Sequence, residues 1–226
     1  MFFAPLAFLR SRSPPRTTTK HQNPCILADS LDRSFATEFY TPTPPGAFFS
    51  KQVFPHNHRD RRDGGPSLFN PPAHYHLFQD EHFKVESGAG IWRLWGGKTV
   101  HLGKGDEIVV PALRWHCFES APDSDVPLRV LIRFDREHAE MEECFFRNTF
   151  SYMGDCRKAG MQPSIFQMMV FCMHNWMPLA VQVPGPEWLN LVVSTILMFV
   201  VGFVGEFLLG YKASYPEYYS GNVKTE

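Results

Sequence analysis

Between residues 81 and 134 apolar and polar positions alternate in short runs separated by tight turns, the pattern of half-buried strands. Over 81–86, Phe83 and Val85 alternate with His82, Lys84 and Glu86, so one face is buried and the other wet. Ser87-Gly88-Ala89-Gly90 then turns the chain, and segments 91–95 and 98–102 flank Gly96-Gly97, a dipeptide suited to a two-residue hairpin. Gly103-Lys104-Gly105-Asp106 makes the next turn, and strands follow over 107–110, 114–119 and 128–134. In the last of these Val130, Ile132 and Phe134 share a face opposite Arg129 and Arg133. Strands at this spacing, with no helix between them, predict a mainly β domain, an antiparallel barrel or sandwich over 73–135.

The pattern changes on both sides of this core. Residues 136–186 read as a helical extension, with one helix over 136–156 and a second over 163–175 that has Pro163 near its first turn. Pro184-Gly185-Pro186 precedes an apolar helix over 187–211, whose only formal charge beyond Trp188 is Glu206. Its length is near that of a bilayer span, and Trp188 and Tyr211 bracket it as interfacial aromatics do. We therefore expect membrane association through 188–211, against the alternative of a packed terminal helix; a tail over 212–226 closes the chain. Residues 1–34 open with Phe2, Phe3, Leu6, Phe8 and Leu9 and continue with Arg10, Arg12, Arg16 and Lys20, and no acid precedes Asp29. That composition is targeting-like, but Pro5, Pro14 and Pro15 break any amphipathic helix, so a disordered tail is expected. Residues 35–72, rich in Pro, Gly and charge over 41–65, read as an extended lead-in.

Composition narrows the classes. The chain has 226 residues, 44% of them apolar and 20% charged, enough for one domain with appendages. A net charge of -1 with no long basic run excludes a nucleic-acid-binding face. The one basic cluster, Arg59, Arg61 and Arg62, is interleaved with Asp60 and Asp63 and reads as a solvated loop. Five cysteines without a CxxC pair are too sparse for a disulfide framework. Reduced thiols fit a cytoplasmic protein, or one on the cytoplasmic side of a membrane.

Four side chains stand out chemically. On one strand, residues two apart point the same way, so His74 and His76 share a face. Glu81 lies on the buried face of Phe83 and Val85, where a carboxylate near imidazoles is costly unless a cation sits between them. His116, on a later strand, completes the set from across the barrel. Three imidazoles and one carboxylate suit iron, manganese, nickel, copper or zinc, and are a poor cage for calcium or magnesium.

The spacing resembles the cupin superfamily. His74-Tyr75-His76, Glu81 and Gly88 match its first motif, and Gly105, Pro111 and His116 match its second. Ser120 stands where that motif usually has asparagine, Leu113 replaces a glycine between the proline and the histidine, and Leu68 occupies another glycine position. The resemblance implies a single cupin barrel, the double-stranded β-helix or jelly roll, with the C-terminal helices appended. Helical Phe145-Phe146-Arg147-Asn148 and the closing 211–219 segment are also similar to fungal cupin-domain oxidoreductases encoded beside polyketide synthases. That likeness implies a role in secondary-metabolite biosynthesis.

Other residues have plainer readings. His56-Asn57-His58 lacks a correctly spaced glutamate and reads as surface, as does His82. Cys117 points away from His116 and reads as packing. Trp92, Trp95 and Trp115 read as core or homodimer contacts before pocket walls, and Arg93, Arg114 and Arg133 as solvated. His101, His138 and His174 have no identifiable partner. Phe83, Val85 and Ser120 are the candidate substrate-pocket residues. The expected activity is oxygenase-type oxidation of a small polyketide-like metabolite at iron(II), with manganese, nickel or zinc as alternative metals. A redox-neutral isomerase, cyclase or decarboxylase and a non-catalytic binding cupin are the competing readings. No Gly-rich nucleotide fingerprint accompanies the strands, so the metal would carry the electron chemistry.

Overall fold

The computed structural model describes residues 4–28, 34–40, 49–55, 70–134 and 136–221. Among the described residues nine strands run as β1 (Cys25–Ala28), β2 (Ser34–Phe39), β3 (Ser50–Phe54), β4 (Glu81–Ser87), β5 (Ala89–Leu94), β6 (Lys98–Gly103), β7 (Glu107–Val110), β8 (His116–Ser120) and β9 (Leu128–Arg133). Three helices follow, α1 (Ala139–Lys158), α2 (Ile165–His174) and α3 (Glu187–Phe203), the last continuing as a π turn over Val204–Leu208. The strands form a six-stranded sheet in the order β1-β2-β3-β9-β4-β7 and a three-stranded sheet in the order β6-β5-β8. Every pairing is antiparallel. Two antiparallel sheets in this order form the jelly roll that the resemblance implies.

Alternation along the strands builds the core. Glu81, Phe83 and Val85 of β4, His116, Phe118 and Ser120 of β8, and Leu128, Val130 and Ile132 of β9 all point inward and are buried. The two sheets close on an aromatic cluster in which Trp92 stacks on Phe118 at 5.2 Å and Phe54 and Phe83 each meet Phe118 edge-on at 5.2 Å. Gly88 joins β4 to β5 at φ +72, where an added Cβ would lie 2.7 Å from the Pro127 carbonyl oxygen. Only glycine fits that left-handed, crowded corner.

The described residues before position 70 differ from expectation. The lead-in contributes β2 and β3, and β3 pairs with β9 through registers such as Ser50↔Ile132. Residues 4–28 are not a free tail. They end in β1, at the edge of the large sheet, after an extended stretch that crosses the helical layer. That stretch is tied down by a buried carboxylate: Asp155 of α1 accepts the Thr17 N–H at 2.7 Å, the Thr17 hydroxyl at 2.7 Å and the Tyr218 hydroxyl at 2.8 Å. Hydrogen bonds recovered from other segments replace the regular structure that the prolines forbid.

The helices form a second layer. Phe150 of α1 meets Phe35 at 4.8 Å and Phe146 meets Phe39 at 6.4 Å, so α1 lies across the inner face of β2. The apolar segment 187–208 is long and apolar enough to cross a membrane. In the fold its two sides differ: Asn190, Ser194 and Met198 are buried, whereas Trp188, Val192, Ile196, Val200 and Phe203 are exposed. Asn190 and Ser194 bond the preceding loop, accepting the N–H groups of Val183 at 2.8 Å and Val181 at 2.9 Å. Glu206, the charge within this segment beyond Trp188, pairs with His174 at 2.8 Å.

Candidate metal centre

His74 and His76 are not on a regular strand; only His74 makes β-bridges, one to His116 and one to Leu179. The backbone around them is nevertheless extended and held on both sides. His74 exchanges backbone hydrogen bonds with His116 at 3.0 and 3.1 Å. On the other edge the N–H groups of Tyr75 and Leu77 donate to Pro178 and Trp176, and Ala180 donates to Ala73. Extended backbone keeps residues two apart on one side whether or not a ladder forms, which is why the two imidazoles still converge.

One ligand atom from each of His74, His76, Glu81 and His116 lies within 4.8 Å of the others, and all four residues are buried. His74 Nδ1–H donates to the Pro72 carbonyl at 2.8 Å and His116 Nδ1–H to the Arg114 carbonyl at 3.1 Å. A carbonyl only accepts, so these bonds put a proton on Nδ1, and in the neutral ring each Nε2 then turns its lone pair toward the cluster. His116 Nε2 then lies 2.9 Å from Glu81 Oε2, and His76 Nε2 lies 3.4 Å from the same oxygen. An imidazole nitrogen and a carboxylate oxygen this close share either a proton or a metal ion between them. Neighbouring donors on a metal with ~2.1 Å bonds sit about 3 Å apart, so the set fits a transition metal. Carbonyl bonds to the far ring nitrogens are the usual way that such ligands are oriented.

Two of the four groups are shifted by their surroundings. Burial pushes His74 well below the ordinary histidine range, and the neighbouring His116 and His76 push it further. Burial would raise the Glu81 carboxyl, but His76 and His116 outweigh it and hold the group below the usual carboxylate range.

A second buried carboxyl, Glu142 of α1, lies behind the cluster with Oε1 3.9 Å from His76 Nδ1. It accepts hydrogen bonds from Gln79 and, at 3.1 Å, from Asn175. Burial raises it to about 8; the Asn175 bond opposes the shift and the Glu81 charge adds to it. Sequence reasoning misses Glu142, because it is one acid among several in 137–143 and nothing local marks which of them faces inward.

The cluster opens into a cavity of about 210 Å³ between the large sheet and the helices. His74, His76 and Glu81 form part of its wall, with Phe54, Phe118, Phe146, Phe150 and Met153 among the rest. The candidate pocket residues are not in that wall. Phe83 and Val85 are fully buried in the core, Phe83 against Trp92 at 5.5 Å, and Ser120 is buried at the end of β8. At these three positions facing inward means facing packed side chains; the open space lies toward α1.

The remaining candidates are structural. Trp92 is core, Arg93 pairs with Glu119 at 2.5 Å, Arg114 with Glu187 at 2.7 Å, and Arg133 bonds His82 at 2.8 Å. His56, His58, Leu68 and the Arg59–Asp63 cluster lie outside the described residues. Leu113, at the departure from the family glycine, has φ +65 and donates its N–H to the His76 carbonyl at 2.8 Å. A left-handed leucine costs about 1–2 kcal/mol, and glycine recovers most of this while losing some chain entropy. Leu113→Gly should therefore stabilise the fold by about 0.5–1 kcal/mol, read as a higher denaturant midpoint at unchanged m-value. A lower midpoint would mean that the half-exposed leucine side chain holds the loop by packing.

Comparison with known proteins agrees with the geometry. Residues 66–133 match the Cupin domain family, so the barrel and its inward donor set define a cupin. The chain is 38% identical over 165 residues to the probable oxidoreductase virH of Hypocrea virens, covering 70% of this chain and 73% of that protein. It is 30% identical over 179 residues to the oxidoreductase iacF of Pestalotiopsis fici, covering 73% of this chain and 86% of that one. Similarity to the epoxidase atD of Aspergillus terreus is 28% over 194 residues, covering 80% of this chain and 59% of that one. The chain belongs to the cupin-domain family of these fungal oxidoreductases.

Proposed function

We propose that the protein is a metal-dependent oxidoreductase that uses dioxygen on a small, largely apolar metabolite, with iron(II) held by His74, His76, Glu81 and His116. The observation that carries this reading is a three-histidine, one-carboxylate donor set opening onto a mainly apolar cavity. Relatives named as oxidoreductases and an epoxidase support it. Iron(II) at such a site supplies one-electron and dioxygen chemistry.

The protein's own contribution is orientation and exclusion of water. The Pro72 and Arg114 carbonyls fix the ring planes of His74 and His116. Phe134 lies against the His76 ring at 5.3 Å and limits its rotation. Phe146 and Phe150 of α1 line the cavity, so a bound molecule displaces water from an apolar wall beside the centre. A redox-neutral reading draws on Glu142, a buried acid beside His76. Glu142 does not line the cavity, however, which places it behind a ligand rather than against a substrate.

The test uses the metabolite extract of a strain lacking the gene, in which the substrate accumulates. Iron-loaded protein should consume one accumulated component in air, and conversion should stop without oxygen or after chelation. Undiminished anaerobic conversion would favour the redox-neutral reading, and conversion that survives chelation would defeat both.

A further inference from the structure

The cavity carries more information than its apolarity. Thr149 of α1 lies in its wall, 6% exposed, and its hydroxyl has no hydrogen-bond partner among the described residues. A helical threonine commonly satisfies its hydroxyl on the carbonyl one turn back; this one does not. Leaving a hydroxyl buried and unpaired is unfavourable, so the atom is available to a molecule in the cavity. Asn70, also in the wall, has its buried Oδ1 without a partner among the described residues, while its Nδ2 donates to Glu119 at 3.2 Å. The described lining contains no lysine or arginine.

Helix geometry sets a length. Thr149 is seven residues beyond Glu142 on the same helix, so the two lie on one face, about 10 Å apart along the axis at ~1.5 Å per residue. Glu142 marks the metal end, because its carboxyl is 3.9 Å from His76 Nδ1. A ligand hydrogen-bonded to Thr149 therefore reaches the centre with its opposite end if it is roughly one substituted ring long. The volume agrees: about 210 Å³ exceeds the ~150 Å³ that encloses benzene, by room for small substituents.

We infer that the cavity binds a neutral, single-ring-sized, mainly hydrocarbon molecule with an oxygen substituent that hydrogen-bonds the Thr149 hydroxyl, leaving its far end at the His76–Glu81 centre. A free carboxylate is disfavoured, because no described cation lies in the wall and Glu81 is close. The inference rests on the proposed function only for which end of the ligand reacts; the binding step needs no metal.

The experiment therefore uses metal-free full-length protein and three probes: 3-methylphenol, toluene and 3-methylbenzoate, titrated by calorimetry. We expect 3-methylphenol to bind about fivefold to tenfold more tightly than toluene, the effect of one buried hydrogen bond, and 3-methylbenzoate to bind most weakly. Thr149→Val, which keeps the shape and removes the hydroxyl, should bring the phenol-to-toluene ratio close to one. Thr149→Ser should restore it, and thermal denaturation confirms that both variants fold. An unchanged ratio in Thr149→Val would overturn the assignment of Thr149. Tighter binding of the benzoate, or no binding of either neutral probe, would overturn the ligand class. Either failure leaves the metal-binding prediction untouched, so the two readings are separable.

Discussion

His116→Ala is expected to weaken metal binding by at least about 100-fold, since losing even an outer-shell partner of a ligand typically costs 10–100-fold. His116 is 1% exposed, its Nδ1 proton is committed to the Arg114 carbonyl and its Nε2 faces Glu81 at 2.9 Å, so no neighbour can substitute for it. His76→Ala should behave alike, and His101→Ala, exposed on β6, should match wild type. Metal-to-protein stoichiometry after dialysis gives one readout. A second is thermal: metal at 100 times its dissociation constant stabilises the native state by about 2.7 kcal/mol. That gain should vanish in both variants. If His76→Ala and His116→Ala each retain full metal content, the four-residue assignment is wrong.

Asp155→Asn should destabilise the fold by about 2–3 kcal/mol. The carboxylate is 2% exposed and accepts from Thr17, from Tyr218 and, at 3.2 Å, from Lys158. It thereby ties the N-terminal stretch, α1 and the C-terminal tail together. Hydrogen bonds to a buried charge contribute more than neutral ones, and the amide keeps the shape while losing the charge. Burial would raise this carboxyl, but the Thr17, Tyr218 and Lys158 bonds together hold it below the ordinary range. A carboxyl depressed in the native state stabilises above its unfolded pKa of about 3.9, and that stability is lost as pH falls through the native value. Wild type should therefore lose stability more steeply than Asp155→Asn as pH drops below about 4. Trypsin should also cut the variant earlier at Arg10, Arg12 or Arg16. Equal midpoints for the two proteins at pH 7 would show that the tie is not needed.

Much of the barrel is legible in the sequence because period two is a local signal. β7 runs over Glu107–Val110 as the pattern predicts, and β4 differs from its expected span by one residue. The strands that escape notice, β1 to β3, are short pieces among prolines and charges, and their pairings are distant. Ser50 of β3 finds Ile132 of β9, a partner that no neighbouring residue announces. The donor set is legible because fixed spacing on extended backbone dictates convergence. Its surroundings are not, since Glu142 and Thr149 matter only once α1 has been laid against the sheet. Phe83 and Val85 mislead for the converse reason: alternation shows which way a side chain points, and not whether space or a neighbour waits there.

The doubly held segment around His74 has a consequence for how this protein can be divided. Residues 66–133 match the cupin family, yet the segment carrying two of the donors is bonded along one edge to 176–180, beyond that boundary. A fragment ending at 133 would strip partners from the Tyr75 and Leu77 N–H groups and the Ala73 carbonyl, and would lose the α1 wall of the cavity. The barrel is thus not a portable module. In chimeras between relatives the natural crossover points lie at the ends of the chain, because the donors, their clamp and the cavity roof come from stretches that must be exchanged together.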